Sequence, residues 1–385
     1  MTGTPLGAAL MWARRLAVPV IPEWVDLAGI TGRVLADDVL ARADLPATDS
    51  AAMDGWAVRA SDTPGRMHLV GESRAGAPWA GFVDVGDAVR ISTGALVPPG
   101  ADSILRVEDG VDDGSAVTTD TPLRTGRDIR YAAEDLRAGH MVLRAGTRMD
   151  AHRVGVLAAT GHEGALCRMP PDVAIVTTGS ELVEPGGRVD AGTVFDSNRH
   201  GLAAQVRAAG GRVVSAITVE DDPEMVRKAL ADTLPRCDLL VVAGGLSVGR
   251  HDHVRSALTE IGMRPEFSRM AMRPGRPTTV GVIRGHLVLA VPGNPAAAAI
   301  GMHLLGRALL GTEVPWTRLP LGSDCTSRGD IDEILRCRER DGIAEPLAMQ
   351  GSGSVSSLAD ADALAWLPWG RSSFPAGTLV AVSRL

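Results

Sequence analysis

The amino-acid sequence predicts a multidomain α/β protein, with an α/β domain built on a parallel sheet, a β-rich segment before it, and a small β-barrel or sheet at its C-terminal end. Three observations predict this class. A chain of 385 residues is long enough for two or three compact units. Strand-like apolar runs alternate with helical patterns between residues 172 and 311. Segments of short apolar runs and turns precede and follow that stretch.

The segment before the α/β stretch has three parts. The first forty or so residues predict helix, because Leu10, Ala13, Leu16 and Ala17 recur at helical spacing. Residues from about 46 to 139 predict a small β-rich domain, because short apolar runs are separated by turn sequences such as VPPGAD and VEDGVDDG. From residue 151 the sequence AHRVGVLAATG predicts a helix that ends in a turn at Gly161.

The stretch from Asp172 to Gly311 predicts βαβ units. Its strand-like runs are VAIV (173–176), RVVSAIT (212–218), DLLVV (238–242) and HLVLAV (286–291). Its helical patterns cover 198–209, 223–234, 252–261 and 295–309. This alternation predicts a parallel sheet with helices on both faces.

The periodicity changes again from about residue 313. The sequence DIDEILRCRERDG predicts a strand that enters a turn, and AWLPWG and GTLVAV predict later strands. QGSGSVSS predicts a Gly/Ser loop between them. These elements fit a small terminal β-barrel or sheet.

Charge and cysteine content narrow the class of protein. The formal net charge is 39 minus 46, or -7, so the sequence does not predict binding to nucleic acid or to an anionic membrane. The four cysteines lie far apart, without the spacing of a disulfide framework or a zinc site. The longest apolar stretch, 296–310, contains His303 and Arg307 and is shorter than a membrane helix. We therefore expect a cytoplasmic protein.

Three glycine-containing loops follow predicted parallel strands. Ligands of open α/β sheets bind at the carboxyl ends of the strands, where glycine lets backbone N–H groups approach an anion. Asn294 suits the N-cap of the next helix and Pro295 its first position. The loops predict binding of a phosphate-bearing ligand, through Thr178, Gly179, Ser180 and Glu181, through Gly244, Gly245, Ser247 and Gly249, and through Pro292, Gly293, Asn294 and Pro295.

Charged side chains add to this site. Asp252, at a predicted helix start beside the second loop, could hold a cation such as Mg²⁺ against phosphate oxygens. Arg273 and Arg276 flank a Pro-Gly turn, and a guanidinium group binds a tetrahedral oxyanion through two parallel hydrogen bonds. The neighbouring His251 and His253 point in different directions from a helix start, which argues against one shared metal ion.

The second loop also supports a rival interpretation. Residues 245–249, GLSVG, match the G-x-S-x-G pattern of a serine hydrolase with Ser247 as nucleophile. In that class a helix follows the serine directly, whereas here Val248-Gly249-Arg250-His251 intervenes. The hydrolase interpretation is therefore the weaker one.

Taken together and in order, the motifs of this chain resemble the molybdopterin molybdenumtransferases. These are the molybdenum insertases of molybdenum cofactor biosynthesis, related to the C-terminal part of gephyrin. The segments that carry the resemblance extend over nearly the whole chain; they are DSAAMDGWAVRA (49–60), AGAPWAG (75–81), VRISTGALVPPGADSILRVED (89–109), GRDIRYAAEDLRAG (126–139), TTGSELVEPG (177–186), FDSN (195–198), VEDDP (219–223), AGGLSVGRHDH (243–253), MRPGRPTTVG (272–281), VPGNPAAA (291–298) and MQGSGSVSSLADADAL (349–364).

The resemblance implies a four-part architecture and a reaction. The parts are a small helical linking domain (20–45 and 140–168), an inserted β-rich domain (46–139), a molybdopterin-binding α/β domain (1–19 and 169–312) and a C-terminal β-barrel domain (313–385). Members transfer molybdenum from molybdate to adenylylated molybdopterin with a divalent cation, here Mg²⁺, and release AMP. A homodimer is implied, as is contact with the molybdopterin adenylyltransferase or with enzymes that receive the cofactor.

The resemblance also implies site residues. Asp54, Glu181 and Asp252 would bind the metal and take part in catalysis. Arg273 and Arg276 stand where the family usually has lysine, in a chain whose one lysine is Lys228. The remaining matches are Thr93 and Asp135 as catalytic residues, and one of Asp221 or Asp222, Arg336 and Ser352 as substrate-binding residues. A non-catalytic molybdopterin-binding scaffold is the alternative that the kinship with gephyrin leaves open.

Overall fold

The computed structural model describes residues 3–246, 253–312 and 315–385. The chain divides into two compact units, one made of Met1–Ile21 with Arg168–Leu385 and the other of Pro22–Cys167. The first unit begins with helix α1, Leu6–Leu16. The prediction of helix over the first forty or so residues is correct for α1 and wrong beyond it. The reason is that Pro19 and Pro22 cannot donate a helical hydrogen bond, and Val18, Val20 and Ile21 favour extended backbone.

The unit Pro22–Cys167 is rich in short strands, as predicted for 46–139. Its strands are β1 Pro22–Asp26, β2 Val39–Leu40, β3 Ser50–Ala51, β4 Gly55–Val58, β5 Gly65–Ser73, β6 Asp87–Ile91, β7 Ser103–Arg106, β8 Val111–Asp112, β9 Ala116–Thr119, β10 Ile129–Arg130, β11 Met141–Leu143 and β12 Gly164–Arg168. A six-stranded sheet has the order β7-β4-β6-β5-β9-β8, and three two-stranded ladders join β1 to β12, β2 to β11 and β3 to β10. Helix α2, Ala151–Ala159, confirms the helix predicted from residue 151.

The other unit contains the α/β domain. Its elements in chain order are β13 Asp172–Thr178, β14 Leu182–Val183, β15 Val194–Phe195, α3 Ser197–Ala208, β16 Arg212–Val219, α4 Pro223–Thr233, β17 Leu239–Ala243, α5 His253–Glu260, β18 Arg264–Phe267, β19 Met272–Arg273, β20 Thr279–Ile283, β21 His286–Val291, α6 Pro295–Gly301 and α7 Arg307–Leu309. A π-helical turn, Met302–Gly306, joins α6 to α7. The four predicted strands and four predicted helices are confirmed.

The large sheet has the order β16-β13-β17-β21-β20-β18. The first four strands are parallel, as predicted, but β20 and β18 are antiparallel, so the sheet is mixed. Neither β18 nor β20 is predicted by the sequence pattern. Strands β20 and β21 form a hairpin through the two residues Arg284 and Gly285, both of which have positive φ. Its turn is therefore of the tight type that Asn-Gly or Asp-Gly sequences usually signal, whereas this one reads Arg-Gly.

The side chains of the central strands alternate between two cores. Val173 and Ile175 of β13 join the core that includes α1, α3 and α6, and Ala174 and Val176 join the core that includes α4 and α5. Strands β17 and β21 divide their buried side chains in the same way. A sheet buried on both faces has no room for polar groups along its strands, so polar groups occur where the strands end.

The C-terminal part of this unit is a second sheet. Its elements are β22 Thr317–Pro320, β23 Cys325–Thr326, β24 Asp332–Arg340, β25 Ile343–Pro346, α8 Ser356–Asp360, β26 Ala363–Leu367, β27 Ser373–Phe374 and β28 Leu379–Arg384. The sheet has the order β19-β24-β26-β28-β22, β25 also pairs with β24, and a bridge joins Leu321 to Ala344. The predicted strands are present, and closure into a barrel stays a prediction. Among the residues that the structure describes, no helix has the length and apolar character needed to cross a membrane.

Asp332 connects the beginning of the chain to this second sheet. Its side chain is fully buried and accepts hydrogen bonds from the Leu6 backbone N–H at 2.9 Å, the Trp366 Nε1–H at 2.8 Å and the Trp369 N–H at 3.2 Å. A buried carboxylate needs such donors, and each of these donors needs the carboxylate.

We expect Asp332→Ala to lower the free energy of unfolding by about 3 kcal/mol, because the buried Leu6 N–H and two partly buried donors lose a charged acceptor. Urea unfolding followed by tryptophan fluorescence measures the change. The matched control is Asp330→Ala, because Asp330 is exposed and makes only a 3.7 Å ion pair with Arg328. This control should change the free energy of unfolding by less than about 0.5 kcal/mol. Equal effects of the two substitutions would refute the role of Asp332.

Candidate functional site

Three loops meet at one edge of the mixed sheet. Thr177 of β13 pairs with Ala243 of β17, and Ala243 pairs with Val291 of β21, so the three adjacent strands end side by side. The loops 178–181, 244–246 and 292–295 follow these ends directly. They border a cleft of about 470 Å³ that is lined by Thr178, Glu181, Leu182, Val194, Phe195, Asp196, Ser197, Asn198, Asp221, Ala243, Gly244, Gly245, Leu246, Pro277, Pro292, Gly293, Asn294 and Pro295.

Most of the residues predicted for these loops line the cleft. Gly179, Ser180 and Asp222 do not line it. Ser247, Gly249 and Asp252 lie outside the described residues, so the hydrolase interpretation, which needs Ser247, stays untested.

Gly244 occupies a position that only glycine fits. Its φ is +112°, and a Cβ atom built there would lie 2.5 Å from the Thr178 carbonyl oxygen. The Gly244 N–H donates to the Val291 carbonyl oxygen at 3.2 Å. The second loop therefore passes directly between the ends of the two neighbouring strands.

Two polar atoms in the cleft are buried without a hydrogen-bond partner among the described residues. They are the Thr178 hydroxyl oxygen and Oδ1 of Asp221. Buried polar groups are almost always satisfied in folded proteins, so an unsatisfied pair in a cleft marks a place for a ligand. Ser180 contributes indirectly, because its hydroxyl oxygen accepts from the Asp221 N–H at 3.1 Å.

The structure separates the two candidate aspartates. Asp222 is the N-cap of α4, and its Oδ1 accepts from the Met225 N–H at 2.9 Å. Asp221 lines the cleft and keeps one buried oxygen unpartnered. Asp222 therefore has a structural task that Asp221 lacks.

Asp196 lies beside the cleft and was missed as a site residue. It is buried, and its Oδ2 accepts from the hydroxyls of Thr177 at 2.6 Å and Thr218 at 2.8 Å. Its Oδ1 caps α3 by accepting from the Arg199 N–H at 3.0 Å. This one carboxylate therefore links the ends of β13 and β16 to the start of α3. The FDSN segment was the available signal.

A second, smaller pocket of about 260 Å³ adjoins the cleft. The two share Pro277, Pro292 and Asn294. The pocket is lined by Met272, Arg273, Pro274, Gly275, Arg276, Pro277, Pro292, Asn294, Ala297, Arg328, Ile331, Gln350 and Ser352. Three of these residues are arginines, and none of the lining residues is acidic. Arg328 was not predicted. The pocket is therefore suited to an anion.

Arg336 adds positive charge near this pocket. Its side chain is fully buried, and its Nη2 donates to the carbonyl oxygens of Met349 at 3.0 Å and Gly351 at 2.9 Å. Its Nε and Nη1 have no partner in the part of the chain that the structure describes, and burial lowers the pKa of its guanidinium group. It supports the loop that brings Gln350 and Ser352 to the pocket. Ser352 also accepts from Asn294 Nδ2 at 3.1 Å.

The unit Pro22–Cys167 contains the other predicted residues. Asp54 Oδ1 accepts from the Thr93 N–H at 2.7 Å and from its hydroxyl at 3.1 Å, and both residues are exposed. Asp135 is exposed on a turn. Within the described parts of the chain, no three His, Cys, Asp or Glu residues are placed to hold one metal ion.

Comparison with family models matches the chain in three consecutive parts. Residues 5–161 match the MoeA N-terminal region (domain I and II), 174–312 match a probable molybdopterin binding domain, and 318–385 match the MoeA C-terminal region (domain IV).

Curated relatives and solved structures match over nearly the whole chain. The molybdopterin molybdenumtransferase of Nostoc sp. strain PCC 7120 is 31% identical, over 94% of this chain and 88% of its own length. That of Bacillus subtilis strain 168 is 30% identical, over 94% and 89%. The crystal structure of the molybdopterin biosynthesis MoeA protein of Pyrococcus horikoshii OT3 is 25% identical and superposes with a TM-score of 0.85, over 100% of both chains.

We expect Gly244→Ala to lower the free energy of unfolding by about 3 kcal/mol, because the new methyl group must adopt positive φ and collide with the Thr178 carbonyl. Thermal unfolding measures this. The control is Gly210→Ala, because Gly210 has φ +86° but nothing within 4 Å of the added Cβ. The control should cost about 1 kcal/mol. If both substitutions cost the same, the close approach at Gly244 is not significant.

Proposed function

Because this chain belongs to the molybdopterin molybdenumtransferase (MoeA) family of molybdenum cofactor biosynthesis, we propose that it transfers molybdenum from molybdate to adenylylated molybdopterin and releases AMP. Molybdate and adenylylated molybdopterin are the substrates. The single observation that carries this proposal is the pair of adjoining spaces, in which an arginine-lined pocket opens beside a glycine-bordered cleft.

The smaller pocket suits molybdate. Molybdate is a tetrahedral dianion, and the pocket presents Arg273, Arg276 and Arg328 without a lining carboxylate to repel it. Arg336 is buried without an ion-pair partner among the described residues. Its charge favours an anion nearby, because an unbalanced buried cation is costly. Ser352 would donate a hydroxyl to the same anion.

The larger cleft suits the phosphate-bearing substrate. Its glycine loops leave room for phosphate oxygens beside the backbone at Gly244, Gly245 and Gly293, all of which line the cleft. The Thr178 hydroxyl is buried, has no partner among the residues described, and is available to a ligand. Because the two spaces share residues, molybdate would lie beside the adenylylated molybdopterin. Holding two reactants together in this way lowers the activation free energy.

Mg²⁺ fits the residues of the cleft. Oδ1 of Asp221 is a buried carboxylate oxygen without a partner among the residues that the structure describes, and the Glu181 carboxylate lies against Gly179 at the same cleft. Such oxygens are the ligands that Mg²⁺ prefers. When bound, Mg²⁺ would neutralise charge on the phosphate oxygens. Asp221 and Glu181 would hold the ion, while Ser180 holds the Asp221 backbone in place.

The remaining predictions concern the other parts of the protein. We propose that Asp54, Thr93 and Asp135 act on the substrate, that Asp252 contributes a metal ligand, and that the four domains have the boundaries given above. We also propose a homodimer that meets the molybdopterin adenylyltransferase or cofactor-receiving enzymes. The Asp54–Thr93 hydrogen bonds support a fixed carboxylate orientation. The relatives are named as transferases, which favours an enzyme over the non-catalytic scaffold.

The test of the reaction is AMP release from adenylylated molybdopterin with and without molybdate. Molybdate-dependent AMP release at rates of a working enzyme supports the proposal. AMP release at the same rate without molybdate, or no release at all, contradicts it.

We expect Arg273→Lys and Arg276→Lys to weaken molybdate-dependent AMP release only modestly, because each keeps the positive charge and restores the residue usual in the family. Arg→Ala at either position removes an oxyanion partner and should raise the activation free energy by about 2 to 4 kcal/mol. The measurement is the steady-state rate of molybdate-dependent AMP release by each variant. Equal rates for the alanine and lysine variants would exclude an oxyanion role.

We expect Asp221→Asn to lower kcat/KM on the order of a hundredfold, because the cleft loses the charge that would hold the cation. Asp222→Asn should stay within about twofold of the parent rate, since asparagine is also a good N-cap. Both variants keep the side-chain size, so thermal unfolding serves as the folding control. The reverse order of effects would assign the function to Asp222 instead.

A further inference from the structure

In the peptide group between Gly293 and Asn294, the carbonyl oxygen has a hydrogen-bond partner and the N–H has none among the described residues. The Gly293 carbonyl oxygen accepts from Asn198 Nδ2 at 2.6 Å. The Asn294 N–H has no acceptor among the described residues. In a trans peptide the carbonyl and the N–H point in opposite directions, and this peptide is trans. The N–H of Asn294 therefore points away from Asn198.

Asn198 binds this peptide from a helix end that is itself held in place. It is the second residue of α3, and Asp196 caps that helix while binding the hydroxyls of Thr177 and Thr218. The start of α3 is therefore fixed to the ends of β13 and β16 through Asp196. On the other side, Asn294 donates to Ser352, so the loop is held at both ends. Asn198, Gly293 and Asn294 all line the 470 Å³ cleft.

We propose that Asn198 is a positioning residue that locks the Gly293–Asn294 peptide, so that the Asn294 N–H donates to a phosphate oxygen of the bound substrate. Without the Asn198 amide the peptide can rotate, and its carbonyl oxygen would then face the phosphate and repel it. The identity of the phosphate as part of adenylylated molybdopterin rests on the proposed function. The hydrogen bond from the Asn294 N–H requires only that some phosphate group is bound in the cleft.

AMP is the probe, and its affinity is measured by calorimetry on the full chain. We expect Asn198→Ala to weaken AMP binding about tenfold, because one phosphate hydrogen bond is lost and a repulsive dipole is gained. Adenosine binding should not change, since adenosine has no phosphate. Asn198→Gln keeps the amide donor and should recover part of the loss. Asn198→Asp cannot donate to the Gly293 carbonyl and should lose at least as much as Asn198→Ala.

The matched control is Gln205→Ala. Gln205 is on the same helix, seven residues further along, and is not among the described residues that line the 470 Å³ cleft. This control should leave AMP binding unchanged. In turnover, Asn198→Ala should raise KM with little change in kcat, because the contact holds the ground state and the transition state alike. If Asn198 had a merely structural role, the substitution would lower the amount of folded enzyme. It would not raise KM while leaving kcat nearly unchanged.

The outcomes separate the inference from the proposed function. If the Asn198 variants bind AMP like the parent but raise KM for the full substrate, the locked peptide serves the phosphate on the pterin side, and the inference stands. If neither AMP affinity nor KM changes, the inference is wrong even when molybdate-dependent AMP release is normal. If the parent shows no such release but Asn198→Ala weakens AMP binding, the proposed reaction fails and the phosphate contact remains.

Discussion

The constraint on which the rest of the structure depends is the double burial of the central strands. Strands β13, β17 and β21 bury side chains on both faces, so they can carry polar chemistry only at their ends. The parallel register brings these ends to one edge, and the loops that leave them are held a few ångströms apart. The cleft at this edge is a consequence of how the strands are buried, and the residues there need only supply donors and acceptors.

At this edge of the sheet, negatively charged side chains line the larger cleft and positively charged side chains line the smaller pocket beside it. The larger cleft has the carboxylates of Glu181 and Asp221, and the smaller pocket has three arginines and no lining carboxylate. The two spaces adjoin directly, because they share Pro277, Pro292 and Asn294. An arrangement of this kind suits a reaction that joins an oxyanion to a phosphate-bearing partner, since each would otherwise repel the other.

Much of this organisation follows from sequence, and the exceptions have physical causes. Apolar runs and helical periodicity predicted the four parallel strands and their helices, because burial on both faces leaves a strong local signal. The antiparallel pair β18 and β20 was missed because its hairpin lacks the usual turn sequence. Asn198 was missed because its partner, Gly293, lies 95 residues away in the chain. Arg328 reaches its pocket only through the fold, and the neighbours Asp221 and Asp222 differ only in the direction of their side chains.

The contact between α1 and the end of its own unit also bears on how the chain is made. Leu6, Ala9, Leu10 and Ala13 pack in one core with the side chains of residues 302–310, and the Leu6 N–H binds Asp332. During synthesis α1 leaves the ribosome long before these partners exist, and the whole unit Pro22–Cys167 emerges in between. The apolar face of α1 lacks the side chains of residues 302–310 until about 290 further residues have been made. The apolar residues of α1 therefore lack these partners for most of translation, and such exposed apolar surface favours aggregation.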